Sequence, residues 1–403
     1  MDSLTRKKIL AFFVIALVAI LIVGGVVYYY FFAPRAPTGT AQPSRGIIGY
    51  FFGGSQTTPP PPTPAPRQTP SPIPPIGVTV GTSSVPRLLQ LTTFPVISPS
   101  FNKQEDRILF YKKEGGALVS SALDSNTAQD TISALTVIGI LDAPRSTGER
   151  DRSAIFYLDQ ESVKSFLHIG TSSVALLPEN ITSFSWSPDG KQLAYTAREG
   201  QGDRVVVADR FAKNQKIIAQ VPLFDASVSW ITANTLILTT APSGFGEGFT
   251  FSLPSNGGTL HALVGPRFGL QANWSPDGTR GLMSSTRRGG GALTLSWFDV
   301  KKEEAHLLPI VTIADKCAWA TTKKVYCAIP RDTYPNAVWP DDYLRGALHT
   351  VDQIIAVNLD DGTTENILNQ GTFDITDLIV SAKDDYLAFV NRTNGTLWRV
   401  KMK

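Results

Sequence analysis

The feature of this sequence that most constrains its fold is a tryptophan-centred unit that recurs about every 44 residues. Trp186 and Trp274 each open the motif Trp-Ser-Pro-Asp-Gly, and they lie 88 residues apart. Trp230 stands midway between them, and Trp319 follows 45 residues after Trp274. A self-similar period of this length indicates a repeat architecture. Weaker copies of the unit are centred on Phe101, near Ile140 and on Val380.

Each unit reads as four short alternating strands. In the unit around Trp186, Asp189-Gly190 supplies a hairpin turn that tolerates positive φ, and the next apolar run begins at Gln192. Four strands in about 40 to 45 residues are typical of one β-propeller blade. Seven copies therefore predict an all-β, seven-bladed β-propeller over residues 87–403. We interpret the tryptophans as core residues between blades and the Ser-Pro-Asp-Gly segment as a structural turn.

The two ends of the repeat region predict how the ring closes. The last unit reaches Lys403 after only three strands, whereas the segment 87–91, Arg-Leu-Leu-Gln-Leu, has the pattern of the outer strands of other units. We predict that this segment supplies the fourth strand of the seventh blade. Closure of this kind leaves no open sheet edge at the ends of the array.

The repeats at Trp186 and Trp274 resemble those of TolB-like, WD-repeat-like propellers found in the periplasm or attached to membranes, and of prolyl-oligopeptidase-type propeller domains. The resemblance implies a propeller, an extracytoplasmic setting and protein binding. The chain departs from TolB in its apolar N-terminal run, its proline-rich stretch, its seventh unit and its lack of a preceding α/β domain. A role in the TolB envelope system is therefore not implied.

The first 32 residues predict a membrane anchor. Ile9 to Phe32 is a run of 24 uncharged residues, which at about 1.5 Å per residue can cross a hydrocarbon core of roughly 30 Å. The alternative, a cleaved signal peptide, has an apolar region of about 7 to 15 residues and a small-residue cleavage site. Because basic residues are concentrated before the run, we predict that residues 1–8 are cytoplasmic and that the propeller lies outside the cell membrane.

Residues 33–86 predict an extracytoplasmic linker. They hold 14 of the 28 prolines, a composition that favours extended polyproline II and cannot bury a core. The apolar island Ile47–Phe52 interrupts the linker. Two interpretations stay open for it: docking on the propeller, a partner or the membrane, or no role.

Charge and motifs argue against several function classes. A net charge of +3 lacks the basic excess of a nucleic-acid-binding protein. The chain has no G-x-S-x-G, H-E-x-x-H, C-x-x-C or Walker motif, and its four histidines show no metal-ligand spacing. We therefore expect no catalytic residue, no metal, no cofactor and no enzymatic activity. The alternatives are a ligand- or glycan-binding sensor with an aromatic-lined pocket, and an enzyme of unrecognised propeller type with acidic or histidine residues converging in the channel.

The long loop 331–345 of the sixth unit is the best candidate for a binding surface. It mixes aromatic residues with charges of both signs, and a propeller places it beside the loops of the preceding units. Because Tyr, Trp and Arg anchor interfaces, we predict that these loops bind envelope or surface proteins. The alternative is a loop that packs only on its own blade. The predicted binding residues are Phe245, Arg287, Arg288, Tyr334, Trp339, Asp341, Asp342, Tyr343 and Arg345.

The two cysteines, Cys317 and Cys327, flank a short predicted hairpin of the sixth unit. Their positions suit cross-strand neighbours, and an oxidising outer compartment favours a disulfide between them. Two buried thiols in the same core are the alternative.

Overall fold

The computed structural model describes residues 87–146, 152–170 and 173–402. In these residues the chain forms 27 β-strands, one 3-10 turn at Ala314–Lys316 and one four-residue helix, α1, at Asp341–Leu344. The predicted all-β class is confirmed.

The predictions for the N-terminal region concern residues that the structure does not describe. The predicted cytoplasmic residues 1–8, the transmembrane helix 9–32 and the linker 33–86, with its island Ile47–Phe52, lie outside the described residues. Among the helices that the structure does describe, none has the length and apolar character that a membrane crossing requires.

The strands form six antiparallel sheets within the described residues, numbered I to VI in chain order, with β1 at Leu88–Gln90 preceding the first. Sheets I, II and III have four strands each, joined in sequence order. Sheet I contains β2 (Val96–Phe101), β3 (Arg107–Lys112), β4 (Leu118–Ala122) and β5 (Gln129–Ser133). Sheet II contains β6 (Ile140–Asp142), β7 (Arg152–Asp159), β8 (Ser162–Ile169) and β9 (Ser173–Leu176). Sheet III contains β10 (Ile181–Trp186), β11 (Gln192–Glu199), β12 (Gly202–Asp209) and β13 (Lys216–Val221).

Sheet IV has seven strands because its central strand serves two four-stranded sets. The first half of β17 pairs with β16, and its second half, from Phe268 to Trp274, pairs with β18. Gly269, at φ +62°, lies at the register shift between the two halves. The strands are β14 (Ser227–Thr232), β15 (Thr235–Thr239), β16 (Glu247–Pro254), β17 (His261–Trp274), β18 (Arg280–Thr286), β19 (Thr294–Asp299) and β20 (Glu304–Leu307).

Sheets V and VI complete the array. In sheet VI, β1 pairs with the last strand of the chain, with Leu88 opposite Val400 and Gln90 opposite Trp398. Sheet V contains β21 (Cys317–Thr321), β22 (Lys324–Pro330), β23 (Asp352–Asn358) and β24 (Thr364–Leu368). Sheet VI contains β25 (Ile375–Val380), β26 (Tyr386–Asn391), β27 (Thr396–Lys401) and β1.

The first strands of the sheets lie side by side around a central channel. Strand β2 contacts both β6 of the next sheet and β25 of the last sheet, so the array returns on itself. Hydrogen bonds to side chains join β10 to β14. The backbone N–H of Val228 donates to Ser183 Oγ at 2.9 Å, and the N–H of Trp230 donates to Ser185 Oγ at 2.9 Å.

Trp186, Trp230 and Trp319 pack between neighbouring sheets, whereas Trp274 packs within sheet IV. Trp186 is 7% exposed, lies in a core cluster built from sheets II and III, and donates from Nε1 to the carbonyl oxygen of Pro144 at 3.1 Å. The turn that follows it is also structural, because Asp189 Oδ1 accepts from Ser187 Oγ at 2.7 Å and from the N–H of Lys191 at 3.0 Å. These bonds hold the pKa of Asp189 below its usual value.

Candidate functional site

Residues 331–350, which join β22 to β23, form a cap over one end of the channel. The cap has its own small core, in which Trp339 and Tyr343 are stacked with ring centroids 5.9 Å apart and Tyr334 meets Trp339 edge-on. Leu293 and Ile313 from outside the cap pack into the same cluster. Packing of this kind makes the cap an ordered layer.

The cap is bonded to loops of sheet IV. Asp341 accepts a hydrogen bond from Ser243 Oγ at 3.1 Å and from the N–H of Gly244 at 2.6 Å. The N–H of Trp339 donates to the carbonyl oxygen of Gly290 at 3.1 Å. Glycine is required at position 290, because a Cβ there would lie 2.6 Å from the Trp339 nitrogen and the residue has φ +78°.

A buried ion cluster ties the cap to sheets V and VI. Lys316 is 1% exposed, and its Nζ donates to Thr350 Oγ1 at 2.7 Å, to Asp352 Oδ2 at 2.6 Å and to Asp374 Oδ1 at 3.1 Å. The Tyr343 hydroxyl also donates to Asp374 Oδ1, at 3.1 Å. The cluster therefore links the 3-10 turn, the cap and the start of β25 through one cation.

Charge and burial compete within the cluster. Burial raises the pKa of Asp352 despite the neighbouring Lys316 ammonium. Burial also opposes ionisation of Asp374, but Lys316 and Arg392 outweigh it and hold the pKa of Asp374 below its usual value. Burial, with the Asp374 carboxylate, raises the pKa of Tyr343 well above its usual value, so its hydroxyl remains a proton donor.

Arg392 completes the attachment from the sheet VI side. Its guanidinium lies over the Tyr343 ring at 4.2 Å and donates to the carbonyl oxygens of Tyr343 at 2.6 Å and Leu348 at 3.2 Å. Lys316 Nζ lies 4.4 Å from the centroid of the same ring. The two cations thus hold Tyr343 through cation–π contacts and hydrogen bonds.

Two cavities lie in the channel beneath the cap. The larger, of about 610 Å³, is lined by Tyr343 of the cap and by charged side chains, and we call it the charged lobe. The smaller, of about 240 Å³, is lined by Leu344 of the cap and by serine and threonine hydroxyls, and we call it the hydroxyl lobe. Asp315 lines both lobes, so the two meet at this residue.

Three carboxylates from different parts of the ring line the charged lobe: Asp142 of β6, Asp315 of the 3-10 turn and Asp377 of β25. Asp142 accepts from Ser98 Oγ at 3.0 Å and from the N–H of Ala143 at 2.7 Å. Burial raises the pKa of Asp142.

Asp377 is the second carboxyl of the charged lobe whose pKa is raised. It has φ +48° at a register shift in β25, and Ser98 has φ +50° at the matching shift in β2. Bulges of this kind turn a side chain away from the regular alternation of a strand. Water reaches Asp377 within the channel, but enclosure by protein, together with the Asp142 and Asp315 carboxylates, raises its pKa to about 6.

A regularity in the repeat accounts for much of this lining. The residue three positions before the core residue of a unit is polar in six of the units, and all six line one of the two lobes. The position marks the strand face that points into the channel, and a sequence comparison of the units could have found it. The six residues are Ser98, Ser183, Ser227, Gln271, Lys316 and Asp377.

In the structure the predicted binding loops lie together, but their residues form two groups that differ in solvent exposure. Phe245 is 65% exposed, and Arg287, Arg288 and Arg345 are also exposed. Tyr334 and Asp342 are partly buried, and Asp342 forms an ion pair with Arg345. Asp341, Trp339 and Tyr343 are 4%, 7% and 5% exposed, so their contacts hold the cap in place and only the other six residues are accessible to a partner.

The cysteines and His168, which the sequence analysis also considered, do not line either lobe of the channel. Cys317 and Cys327 are directly opposite each other on β21 and β22 and form a disulfide, with Cα atoms 4.0 Å apart. His168 accepts or donates a bond with the Tyr111 hydroxyl at 2.8 Å, and burial lowers its pKa. Within the described ranges, no three His, Cys, Asp or Glu side chains converge closely enough to hold a metal ion.

Comparison with known proteins identifies the fold. No protein-family model matches the sequence, and no curated protein matches it either. The β-propeller domain of the Trilobed protease from Pyrococcus furiosus matches with TM-score 0.51 at 14% identity, over 77% of this chain and 96% of that one. The described domain is a β-propeller.

Two further structures are similar to this chain. Oligogalacturonate lyase from Vibrio parahaemolyticus matches with TM-score 0.56 at 11% identity, over 78% of this chain and 93% of that one. TolB from Acinetobacter baumannii matches with TM-score 0.47 at 14% identity, over 67% of this chain and 65% of that one. The match to the protease propeller domain confirms the β-propeller fold predicted from the Trp-Ser-Pro-Asp-Gly repeats.

The expectation that the protein is not an enzyme is wrong, because the reasoning behind it does not hold for propellers. It rested on the absence of familiar catalytic motifs from a propeller sequence, yet a propeller of this shape forms the structure of an oligogalacturonate lyase. The motifs searched for belong to other folds, so their absence does not classify a propeller.

Proposed function

We propose that the protein is a membrane-anchored, extracytoplasmic propeller that binds another protein of the cell envelope through its capped face. The observation that carries the proposal is the cap. It joins loops of sheets IV, V and VI into one layer, fixed by Asp341 on one side and by Lys316 and Arg392 on the other. Ordered loops lose little conformational entropy on binding, which favours recognition of a large surface.

The outer side of this layer has the residue types that dominate protein interfaces. Phe245 projects from the β15–β16 loop, Arg287 and Arg288 from the β18–β19 loop, and Arg345 from the cap. Aromatic and arginine side chains are enriched among residues that carry binding energy. The backbones of these loops are in contact, since the N–H of Gly289 donates to the carbonyl oxygen of Gly244 at 2.7 Å.

The proposal includes seven blades. Sheet IV supports two of them, because β17 is the fourth strand of one four-stranded set and the first strand of the next. Sheets I, II, III and V each supply one blade, and sheet VI supplies the seventh with β1 as its fourth strand.

The proposal also includes the setting. The uncharged run Ile9–Phe32, preceded by Arg6, Lys7 and Lys8, supports an anchor with the propeller outside the membrane. The disulfide between Cys317 and Cys327 supports an oxidising compartment, where such bonds persist.

The test is chemical crosslinking in intact cells with a variant matched on the opposite face. The test variant replaces Phe245, Arg287 and Arg288 with alanine. The control variant replaces Phe211, Lys301 and Lys302, which also combine one exposed aromatic residue with two adjacent cations but lie in β12–β13 and β19–β20 turns at the other end of the strands.

We expect the natural chain and the control variant to crosslink to the same envelope protein, identified by mass spectrometry, and the test variant to lose it. Equal capture by both variants would remove the capped face from the interface and refute the proposal.

A further inference from the structure

A second site lies inside the ring, and it does not depend on the partner proposed above. We infer that the channel beneath the cap binds a small polyhydroxylated molecule carrying a protonated amine, of the amino-sugar class. The charged lobe alone, at about 610 Å³, has the volume of a small-molecule pocket, and the hydroxyl lobe extends it past Asp315.

The charged lobe has a preference for a cation. Of the three cations that line it, Lys316 is buried and engaged with Asp352 and Asp374. Arg392 is partly buried and engaged with carbonyl oxygens of the cap, and Lys113 is exposed to solvent. By contrast, Asp142 and Asp377 form no ion pair with any described residue, and the Asp142 carboxylate is held by neutral donors. A protonated amine between these carboxylates would supply the missing charge at short range.

The hydroxyl lobe has the complementary chemistry for sugar hydroxyls. Six serine and threonine side chains line it, together with the Gln271 amide, and Leu270 and Leu344 give it a small apolar surface. Alternating hydrogen-bonding and apolar surface suits a sugar ring, which carries hydroxyls on its rim and C–H groups on its faces. The six hydroxyl residues are Thr182, Ser183, Ser227, Ser229, Thr239 and Thr240.

Asp225 provides an independent sign that this lobe takes a hydrogen-bond donor. The residue lines the lobe and is 5% exposed; its Oδ1 pairs with Arg198, whereas its Oδ2 has no hydrogen-bond partner among the described residues. A buried carboxylate oxygen without a donor is costly, so a ligand hydroxyl or amine placed beside it is stabilised.

The test is isothermal titration calorimetry of the full-length protein in detergent with three probes. D-glucosamine carries both the amine and the hydroxyls, D-glucose lacks the amine, and putrescine has amines without ring hydroxyls. We expect glucosamine to bind at least about tenfold more tightly than either of the others, because each of them loses one set of charge-assisted or neutral hydrogen bonds.

Three variants locate the binding. Asp377→Asn removes a channel charge while keeping a residue that tolerates φ +48°, and we expect it to weaken glucosamine binding about tenfold and leave glucose unaffected. Ser229→Ala should weaken both sugars and leave putrescine unchanged. Glu365→Gln, which removes one exposed charge from the outer strand β24, should change nothing.

The pH dependence gives a separate readout. Enclosure by protein, with Asp142 and Asp315, raises the pKa of Asp377 to about 6, so the channel gains negative charge as pH rises through that value. The other charged groups facing this lobe are Lys113, Lys316 and Arg392. We expect glucosamine to bind more tightly at about pH 7 than at about pH 5, and Asp377→Asn to flatten this difference.

Four outcomes would overturn the inference. They are no heat from any probe at about 10 mM, equal affinity for glucosamine and glucose, equal affinity for glucosamine and putrescine, and an Asp377→Asn variant that binds glucosamine as the natural chain does. Loss of the crosslinked partner in the Phe245 variant would leave all of these results unchanged, so the two proposals fail separately.

Discussion

The ion cluster under the cap gives the most demanding prediction. Replacing Lys316 with methionine removes the charge and keeps an unbranched side chain that is one atom shorter. The ammonium is 1% exposed and bonds to Thr350, Asp352 and Asp374. The variant leaves the buried Asp352 carboxylate without a cation, whereas Asp374 keeps its contacts with Arg392 and His349.

The magnitude follows from that burial. Removing one partner from a buried charge pair costs about 3 to 5 kcal/mol, because the remaining charge stays desolvated. For a domain of this size, a loss of that order lowers the melting temperature by roughly 5 to 8 °C. Part of the loss should return in the double variant with Asp352→Asn, which removes the uncompensated charge.

The assay is thermal unfolding of the full-length protein, followed by near-ultraviolet circular dichroism, with Lys324→Met as the control. Lys324 also pairs with a carboxylate, Asp384, at 2.9 Å, but its side chain is 34% exposed, and pairs of this kind contribute about 1 kcal/mol or less. Equal destabilisation by Lys316→Met and Lys324→Met would refute the argument that the buried cluster anchors the cap.

Three further predictions follow from particular contacts. Gly290→Ala should increase protease cleavage within the cap more than Gly289→Ala, because both residues have positive φ but only a Cβ at 290 meets the Trp339 backbone; equal cleavage would contradict this. Asp377→Asn should raise the melting temperature at about pH 7 and lose this advantage as pH falls from about 6 to 4, because the raised pKa of Asp377 makes its ionised form unfavourable in the folded state; a pH-independent difference would contradict it. Reduction of the Cys317–Cys327 disulfide should cost about 3 kcal/mol in denaturant unfolding of the natural chain and nothing in a chain with Ala and Val at these positions.

The sequence predicted the fold well because its strongest signals are local. The spacing of Trp186 and Trp230 reflects strands that each pack against the preceding sheet, and Asp189-Gly190 reflects a turn closed by its own side-chain bonds. It did not predict that β17 runs unbroken from one four-stranded set into the next, because continuity there depends on pairing with both β16 and β18.

The candidate site was predicted only in part. The sequence predicted that the long loop 331–345 lies beside the loops that hold Phe245 and Arg287. It could not distinguish exposed residues from buried ones, such as Tyr343, that hold the cap in place. The roles of Lys316 and Asp377 depend on distant partners that only the closed ring brings together. Lys316 bonds to Asp374, which is 58 residues away, and Asp377 is affected by Asp142 from another sheet.

The measurement that tests the proposed function most directly is site-specific photocrosslinking in intact cells, with p-benzoylphenylalanine placed at position 245 in one chain and at position 211 in another. Both positions hold exposed phenylalanines, on opposite ends of the strands. We expect a discrete crosslinked envelope protein from position 245 and none from position 211. The same crosslinked species from both positions, or a species from position 211 alone, would contradict it.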